Sequence, residues 1–293
     1  LRLPLSKRAG FGFSIIPEQA RLADWIYEDA PGGIDGNTSY GRRRHRSLIT
    51  SIRTAVGLGV QVSDTLSVGA SIGAVYNKNE LVSPYTFQSH PALAGFKTLL
   101  DLKTEGLGVN ADLGVVWQPV DELILGLSYR TPTQVRSKGR AKGDLNEQFT
   151  SLGLHGVPSD FRYDAEVVNH FPDQLTFGGS LRITDQTTLS SEVEWVRWSN
   201  AFEKLVVDLT KGSNGAINGL LGSDGIVDTI PLDWEDSFVW RFGVEHRLNS
   251  QWTLRAGYQY GESPVPETTV LPMTAAISEH TLTLGVTWDR APY

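Results

Sequence analysis

The chain has 293 residues and a formal charge of −7, with 40% apolar and 20% charged residues. The acidic balance gives no reason to expect nucleic acid as a partner, and the absence of cysteine excludes a disulfide framework, a cysteine-based zinc site and a thiol nucleophile. There is no apolar run of about 18 residues, so no transmembrane helix is expected; that test does not reach a membrane β-barrel, whose strands average lipid-facing and lumen-facing residues.

In chain order, alternation at period two predicts about ten strands, near 8–17, 46–62, 66–82, 103–119, 123–140, 161–183, 188–210, 231–248, 252–262 and 279–290. In the fourth, Leu107, Val109, Leu113, Val115 and Trp117 share one face, while Gly108, Asn110, Asp112 and Gly114 share the other. Leu123, Leu125, Leu127 and Tyr129 alternate likewise with Gly126, Ser128 and Arg130. Phe238, Trp240, Phe242 and Val244 oppose Arg241, Gly243 and Glu245, and Leu282, Leu284, Val286 and Trp288 oppose Thr283, Gly285 and Thr287. A helix does not sort residues in this way; a strand between two different media does. The spans meet or exceed the roughly nine to eleven tilted residues that a bilayer crossing needs.

The connections alternate too. Short turns are expected at Ser63–Thr65, Val120–Glu122, Thr184–Thr187 and Asn249–Gln251, and long loops at 18–45, 83–102, 141–160, 211–230 and 263–278. Short turns at one end and long loops at the other are the pattern of a bacterial outer-membrane barrel. Tyr76, Trp117, Tyr129, Trp195, Trp240, Trp252, Tyr258, Tyr260 and Trp288 lie on apolar faces, where amphipathic rings form girdles at the headgroups. The reading is a single all-β domain, an antiparallel transmembrane β-barrel.

Several segments stand out: Leu127–Arg130 (LSYR); Pro172–Gly179 leading into Trp195-Val196-Arg197-Trp198-Ser199; and, in order, Trp234-Glu235-Asp236, Arg241-Phe242-Gly243, Trp252–Tyr258 and Ser263-Pro264-Val265-Pro266. Together they resemble the FadL/TodX family of outer-membrane transporters for long-chain fatty acids and aromatic hydrocarbons. The resemblance implies a fourteen-stranded barrel of which this chain supplies about ten strands, without the N-terminal hatch and the terminal strands and with end strands left unpaired. Pro292 does not read as part of a finished last strand, and Leu1–Gly10, with Arg2, Pro4, Lys7 and Arg8, does not read as a signal peptide. Function is then expected to be uptake of hydrophobic compounds: capture at outer loops, passage through the barrel and exit at a lateral opening.

Three regions map onto that route. Leu93, Phe96, Leu99 and Leu100 follow helical spacing after Pro91, and with Phe149, Leu152 and Leu154 of the next loop they are expected to form the apolar groove of the resembling family; a small packed loop cap is the alternative. Gly10, Gly12 and Pro17 weaken one strand, and by resemblance Ser14, Ile15, Ile16 and Pro17 stand at the lateral gate, with a break in pairing near Ser14–Glu18; a proline that merely ends the strand is the alternative. On the polar faces, Arg130, Arg241 and Arg255 are candidates to hold a carboxylate by a bidentate contact, against a lumen ladder of Arg–Glu pairs. Fatty-acid members of the family can carry lysine where Glu235 stands, which leaves room for a neutral hydrocarbon.

Arg42, Arg43, Arg44 and Arg46 at the outer rim are expected to meet lipid phosphates, such as those of lipopolysaccharide, or simply solvent. The six histidines lack metal spacing, no GxSxG or HExxH occurs, and Gly212–Gly225 lacks the ending of a phosphate-binding loop, so no enzyme, metal or cofactor is expected. A monomer is expected. The rival functions are a diffusion porin for polar solutes and an outer-membrane hydrolase, for which His170, Asp173 and Ser180 are the loose candidates.

Overall fold

The computed structural model describes residues 2–270 and 278–289. Its strands form one antiparallel sheet. They are β1 (Arg2–Pro4), β2 (Ala9–Glu28), β3 (Arg42–Gln61), β4 (Leu66–Thr86), β5 (Lys97–Val120), β6 (Leu123–Arg130), β7 (Thr133–Asp144), β8 (Asp160–Phe171), β9 (Gln174–Thr184), β10 (Thr187–Val196), β11 (Lys204–Thr210), β12 (Ile226–Pro231), β13 (Ser237–Arg247), β14 (Trp252–Gly261) and β15 (His280–Trp288). Two short helices, α1 (Asn146–Ser151) and α2 (Gly215–Leu221), sit in loops. Neighbouring strands run from β1 to β6, then β9, β10, β13, β14 and β15, while β7, β8, β11 and β12 continue the sheet above β6, β9, β10 and β13. The sheet is open: β1 pairs only with β2 and β15 only with β14 among the described residues.

The two faces are what the alternation demands. Leu113, Phe242 and Leu284 are 55%, 50% and 89% exposed, so the apolar face is no dry globular interior. On β5 this outward face is aliphatic or aromatic at every second residue from Leu107 to Trp117 apart from Ala111, about 33 Å along the strand at roughly 3.3 Å per residue. With a barrel tilt near 40° that becomes an apolar band about 25 Å tall, the height expected of a transmembrane barrel. Trp252 stacks near Trp288 by the short turns, with ring centroids 6.2 Å apart, and Tyr76 donates to Glu105 at the upper limit of the band. Facing inward over the lower half are many small residues, Gly57, Ser71, Gly114, Ser128, Gly178 and Gly243 among them.

Each predicted span corresponds to a strand, with two physical differences. The strands reach further up than the alternation signals: β2 continues to Glu28, β4 to Thr86 and β5 back to Lys97. About half of the expected loops 18–45 and 83–102 is therefore strand. The helical spacing at Leu93–Leu100 is not realised, and the helix of this region forms at α1 instead. The second difference is that the spans 123–140, 161–183 and 188–210 are interrupted midway, at Thr131-Pro132, at Pro172-Asp173 and between Val196 and Lys204, while β12 forms within the expected loop 211–230 and is separated from β13 between Pro231 and Ser237. Proline removes a ladder donor at the first two. Pro292 and residues 271–277 of the expected loop 263–278 lie outside the described residues.

Above those interruptions the sheet turns in on itself. Gly106 and Gly108 of β5 and Gly139 of β7 allow the strands to approach; a Cβ on Gly139 would stand 1.9 Å from the Lys103 carbonyl oxygen. Inward-facing Leu100 and Leu102 of β5 meet Ala141, Phe161, Tyr163, Ala165, Val167, Leu209 and Ile226 in one buried apolar core. Below it, Asn77 of β4 accepts from the Ser137 hydroxyl at 3.0 Å and the Asn169 amide at 3.1 Å, tying β4 to β7 and β8. The upper half is packed, and the lower half keeps an inner face of small residues.

Candidate functional site

The inner face carries a charged cluster that begins with a backbone irregularity. β2 pairs with β3 up to Pro17↔Ile52 and resumes at Gln19↔Ser51, leaving Glu18 as the extra residue of a β-bulge. The bulge aims Glu18 inward, where its Oε1 is 3.2 Å from Arg130 and 3.7 Å from Arg53. Arg53, 3% exposed, also holds Asp112 at 2.9 Å, Asn110 at 2.6 Å and Ser71 at 2.8 Å. Arg130 closes the network on Asp112 at 2.7 Å. Two arginines, two carboxylates and their amide and hydroxyl partners satisfy one another, as buried charges must.

The expected break near Ser14–Glu18 therefore takes a different form. The ladder to β3 is not lost but shifts by one residue, because an inserted residue changes the strand's phase without ending its pairing. On the other side of β2, β1 covers only Gly10–Gly12, and no strand lies opposite Ser14–Glu28 among the described residues. Ile15, Ile16 and Pro17 are exposed and Ser14 is half-buried.

Higher on the same face of β2, Arg21 lies over an aromatic platform. Its guanidinium is 4.8 Å from the Trp198 ring centroid and 5.0 Å from that of Trp234. Phe202 stacks on Trp234 at 4.6 Å, and Trp198 meets both edge-on. The platform comes from two of the interruptions: Trp198 and Phe202 follow β10, and Trp234 precedes β13. They are joined by the Trp234 amide donating to the Phe202 carbonyl (3.1 Å) and by Asp236 accepting from the Ser199 amide and hydroxyl (3.1 and 2.7 Å). The Trp234 indole N–H is buried with no hydrogen-bond partner. Arg21 was not singled out by the sequence, because alternation ends the strand near Pro17 and leaves Arg21 in the expected loop 18–45.

The three candidate carboxylate holders are already engaged. Arg130 is bound as above; Arg241 contacts Glu192, Glu194 (2.6 Å) and Gln259 (2.9 Å); Arg255 contacts Glu245 (2.7 Å) and Thr287 (2.5 Å). They form the ladder of pairs that the sequence offered as the alternative. Glu235 is exposed.

The outer-loop candidates divide. Leu93, Leu100 and Phe149 are buried together in the upper core, and Phe96 packs against it. Leu99 is half-buried outside that cluster, while Leu152 and Leu154 are exposed beyond α1. Polar latches tie this cap down. Buried Lys97 holds Asp29 at 2.7 Å while its amide donates to Gln148 at 2.9 Å, and Tyr40 donates to the Asp144 carbonyl at 2.7 Å. Asp228 of β12 accepts from Tyr85, from the Gln88 amide (2.9 Å), from the Ser89 amide (2.7 Å) and hydroxyl (2.9 Å), and from the His90 amide (3.2 Å). Burial raises the pKa of Asp228, but these donors outweigh it and hold the carboxyl below its ordinary range.

The hydrolase candidates are not assembled into a relay. His170 contacts Gln134, Asp173 is taken by Arg197 (2.8 Å) and Tyr129 (3.2 Å), and Ser180 pairs across β9 with Ile124 and Ser190. Among the described residues no cluster of His, Asp or Glu is arranged to hold a metal.

An open antiparallel sheet with an apolar outer band, a satisfied polar inner face and elaborated upper loops defines the wall of a transmembrane β-barrel. The chain belongs to the outer membrane protein transport protein family (OMPP1/FadL/TodX), whose model matches residues 7–292, and its place is the bacterial outer membrane. It is 21% identical to the long-chain fatty acid transport protein of Escherichia coli K12, over 90% of this chain and 60% of that protein. It is 23% identical to alkane uptake protein A of Marinobacter nauticus, over 82% of this chain and 50% of that protein. The fold matches a FadL homologue of Pseudomonas aeruginosa (TM-score 0.72, 19% identity, 92% of this chain and 61% of that one). It also matches the Pseudomonas putida toluene transporter TodX (TM-score 0.71, 20% identity, 99% and 72%). The chain thus spans half to three-fifths of the length of the two curated relatives named here.

Proposed function

We propose that this chain forms the wall of a channel for uptake of hydrophobic compounds, entered at the upper loops, and that neutral hydrocarbons suit it better than fatty acids. The observation that carries this reading is the state of the three lumen arginines. Each is held by one or two carboxylates of its own wall, so a fatty-acid headgroup would have to displace a contact already made. Trp198 and Trp234 are buried under the Arg21 guanidinium, so an apolar molecule that displaces Arg21 would gain ring faces to stack on without breaking a carboxylate pair. The names of the relatives span both chemistries, a long-chain fatty acid on one side and alkane and toluene on the other.

Under this proposal exposed Leu152 and Leu154 and half-buried Phe96 form the lip of the entry over the packed cap that holds Leu93 and Phe149, and Ser14–Pro17 border the exit beside the bulge at Glu18. The test is binding and uptake by the folded full-length protein in liposomes, with toluene and a fluorescent long-chain fatty acid as probes. Saturable toluene binding, weakened about tenfold by Phe96→Asp, is the expected result. Tighter binding of the fatty acid than of toluene would overturn the preference. Steady ion conductance with neither probe bound would replace the proposal with a diffusion porin.

A further inference from the structure

The contact between Arg21 and the two tryptophans joins parts of the wall that are not neighbours. Arg21 stands on β2, three residues above the bulge at Glu18. Trp198 follows β10 and Trp234 precedes β13, and these strands stand six and seven places from β2 in the strand order. The Arg21 side chain therefore reaches across the inner side of the sheet to a distant part of the wall.

The two sides of this contact are held very differently. Trp198 and Trp234 are 8% and 3% exposed, Phe202 stacks on Trp234, and hydrogen bonds at Trp234 and Ser199 join their two segments. The rings are fixed. Arg21 is half-buried and makes no hydrogen bond or ion pair among the described residues. The carboxylates of the inner face are already taken, Glu18 and Asp112 by Arg53 and Arg130, and Glu192 and Glu194 by Arg241. A guanidinium that never loses its charge is thus held by ring faces 4.8 and 5.0 Å away and by no acid among the described residues.

This arrangement treats two kinds of apolar molecule differently. To lie against either indole, a molecule must lift Arg21 from it. A saturated hydrocarbon has no π face, so the cation gives up its attraction and gains nothing where an unpaired charge is costly. An aromatic ring has two faces. One stacks on the fixed indole and the other receives the guanidinium, so the cation exchanges one ring for another. A desolvated contact of this kind is worth roughly tenfold or more in affinity.

We propose that Arg21 is a specificity-determining residue of the lumen, which closes the face of Trp198 and Trp234 to saturated hydrocarbons and admits flat aromatic rings of the same size between cation and indole. The proposal takes the channel reading above as its premise and adds a preference within the neutral hydrocarbons.

The test compares toluene with methylcyclohexane, its saturated counterpart of equal carbon number. Each is titrated into nanodiscs holding the folded full-length protein, with empty nanodiscs subtracted, and free hydrocarbon is read by headspace gas chromatography. The wild type is expected to bind toluene about tenfold more tightly. Arg21→Gln is expected to raise the affinity for methylcyclohexane far more than that for toluene, so that the ratio falls to about twofold. Arg21→Lys, which keeps the cation, is expected to retain about half of the wild-type ratio or more. Heat-dependent gel migration reports whether each variant is folded, and the wild-type ratio stands as a test if one is not. Equal binding of the two hydrocarbons by the wild type would overturn the proposal while leaving the channel reading in place. An unchanged ratio in folded Arg21→Gln, or a ratio lost as fully in Arg21→Lys as in Arg21→Gln, would also overturn it, the last by showing that packing rather than charge discriminates. Binding of neither hydrocarbon above the empty nanodiscs would remove the channel reading and the proposal with it.

Discussion

Strands β2 to β5 and the spans that follow them are built from the same alternating sequence, yet they behave differently. The first four run unbroken for 20, 20, 21 and 24 residues. The next three are each cut in two at mid-height, and β12 is likewise separated from β13. Continuous strands give a smooth wall whose inner side chains can only meet their neighbours. Interrupted strands let the upper half change direction, so that β7, β8, β11 and β12 pack over the inner face of β4 and β5, and they send Trp198, Phe202 and Trp234 inward at the level of Arg21. The wall comes from the unbroken strands, and the internal features come from the breaks.

The largest expected effect tests the unbroken side. Arg53→Met removes the cation shared by Asp112, Asn110 and Ser71, leaving Asp112 and Glu18 to Arg130 alone. Breaking a buried ion network in this way costs about 3–5 kcal/mol, to be read as a lower unfolding midpoint in urea for the bilayer-folded protein. On the broken side, Phe149→Ala opens a cavity in the upper core at a cost of about 3 kcal/mol. Because that core sits above the interruptions, the loss is expected to appear as faster protease cleavage of the outer loops, with the apolar band still protected.

Gly139→Val, which sets a side chain against the Lys103 carbonyl, is expected to cost about 1–3 kcal/mol and to raise amide exchange in β7 while β6 is unaffected. Arg21→Gln removes the cation over the two tryptophans, a contact of about 2 kcal/mol, and is expected to raise toluene affinity by freeing the ring faces. Tryptophan fluorescence during titration checks this.

The smallest effect is one of pH. The folded Asp228 carboxyl has a lowered pKa, so its stabilising contribution is complete above the ordinary carboxylate range and disappears as pH falls through the folded value. The 87–90 loop should therefore keep its proteolytic protection down to about pH 4 and lose it only below, whereas Asp228→Ala should show the unprotected rate at every pH.

How much of this was legible in the sequence follows the same division. Alternation finds strands wherever one side meets lipid and the other does not, so Leu107–Trp117 and Phe238–Val244 announce themselves. It fails where both faces are polar or both are covered. The upper part of β5 carries charge outward and a packed core inward, and upper β2 mixes Leu22 and Ile26 with Asp24 outward after a change of phase at Glu18, so both read as loops. At Leu93–Leu100 an apolar spacing that suits a helix belongs to a hairpin whose inward residues are shared with β8. Pro132 and Pro172 were visible as residues, but a proline at mid-strand does not state which way the chain turns. The partners of Arg130, Arg241 and Arg255 required the register between strands, and one sequence does not contain it.

The extra residue at Glu18 has a consequence of its own. Below it, odd-numbered Phe13 and Ile15 look outward; above it, even-numbered Leu22 and Ile26 do. Glu18 therefore acts as a change of reading frame written into a strand. Deleting that single codon would leave the composition almost untouched, yet would rotate ten residues by half a turn, carrying Arg21 out toward the bilayer and Leu22 and Ile26 into the water-facing interior.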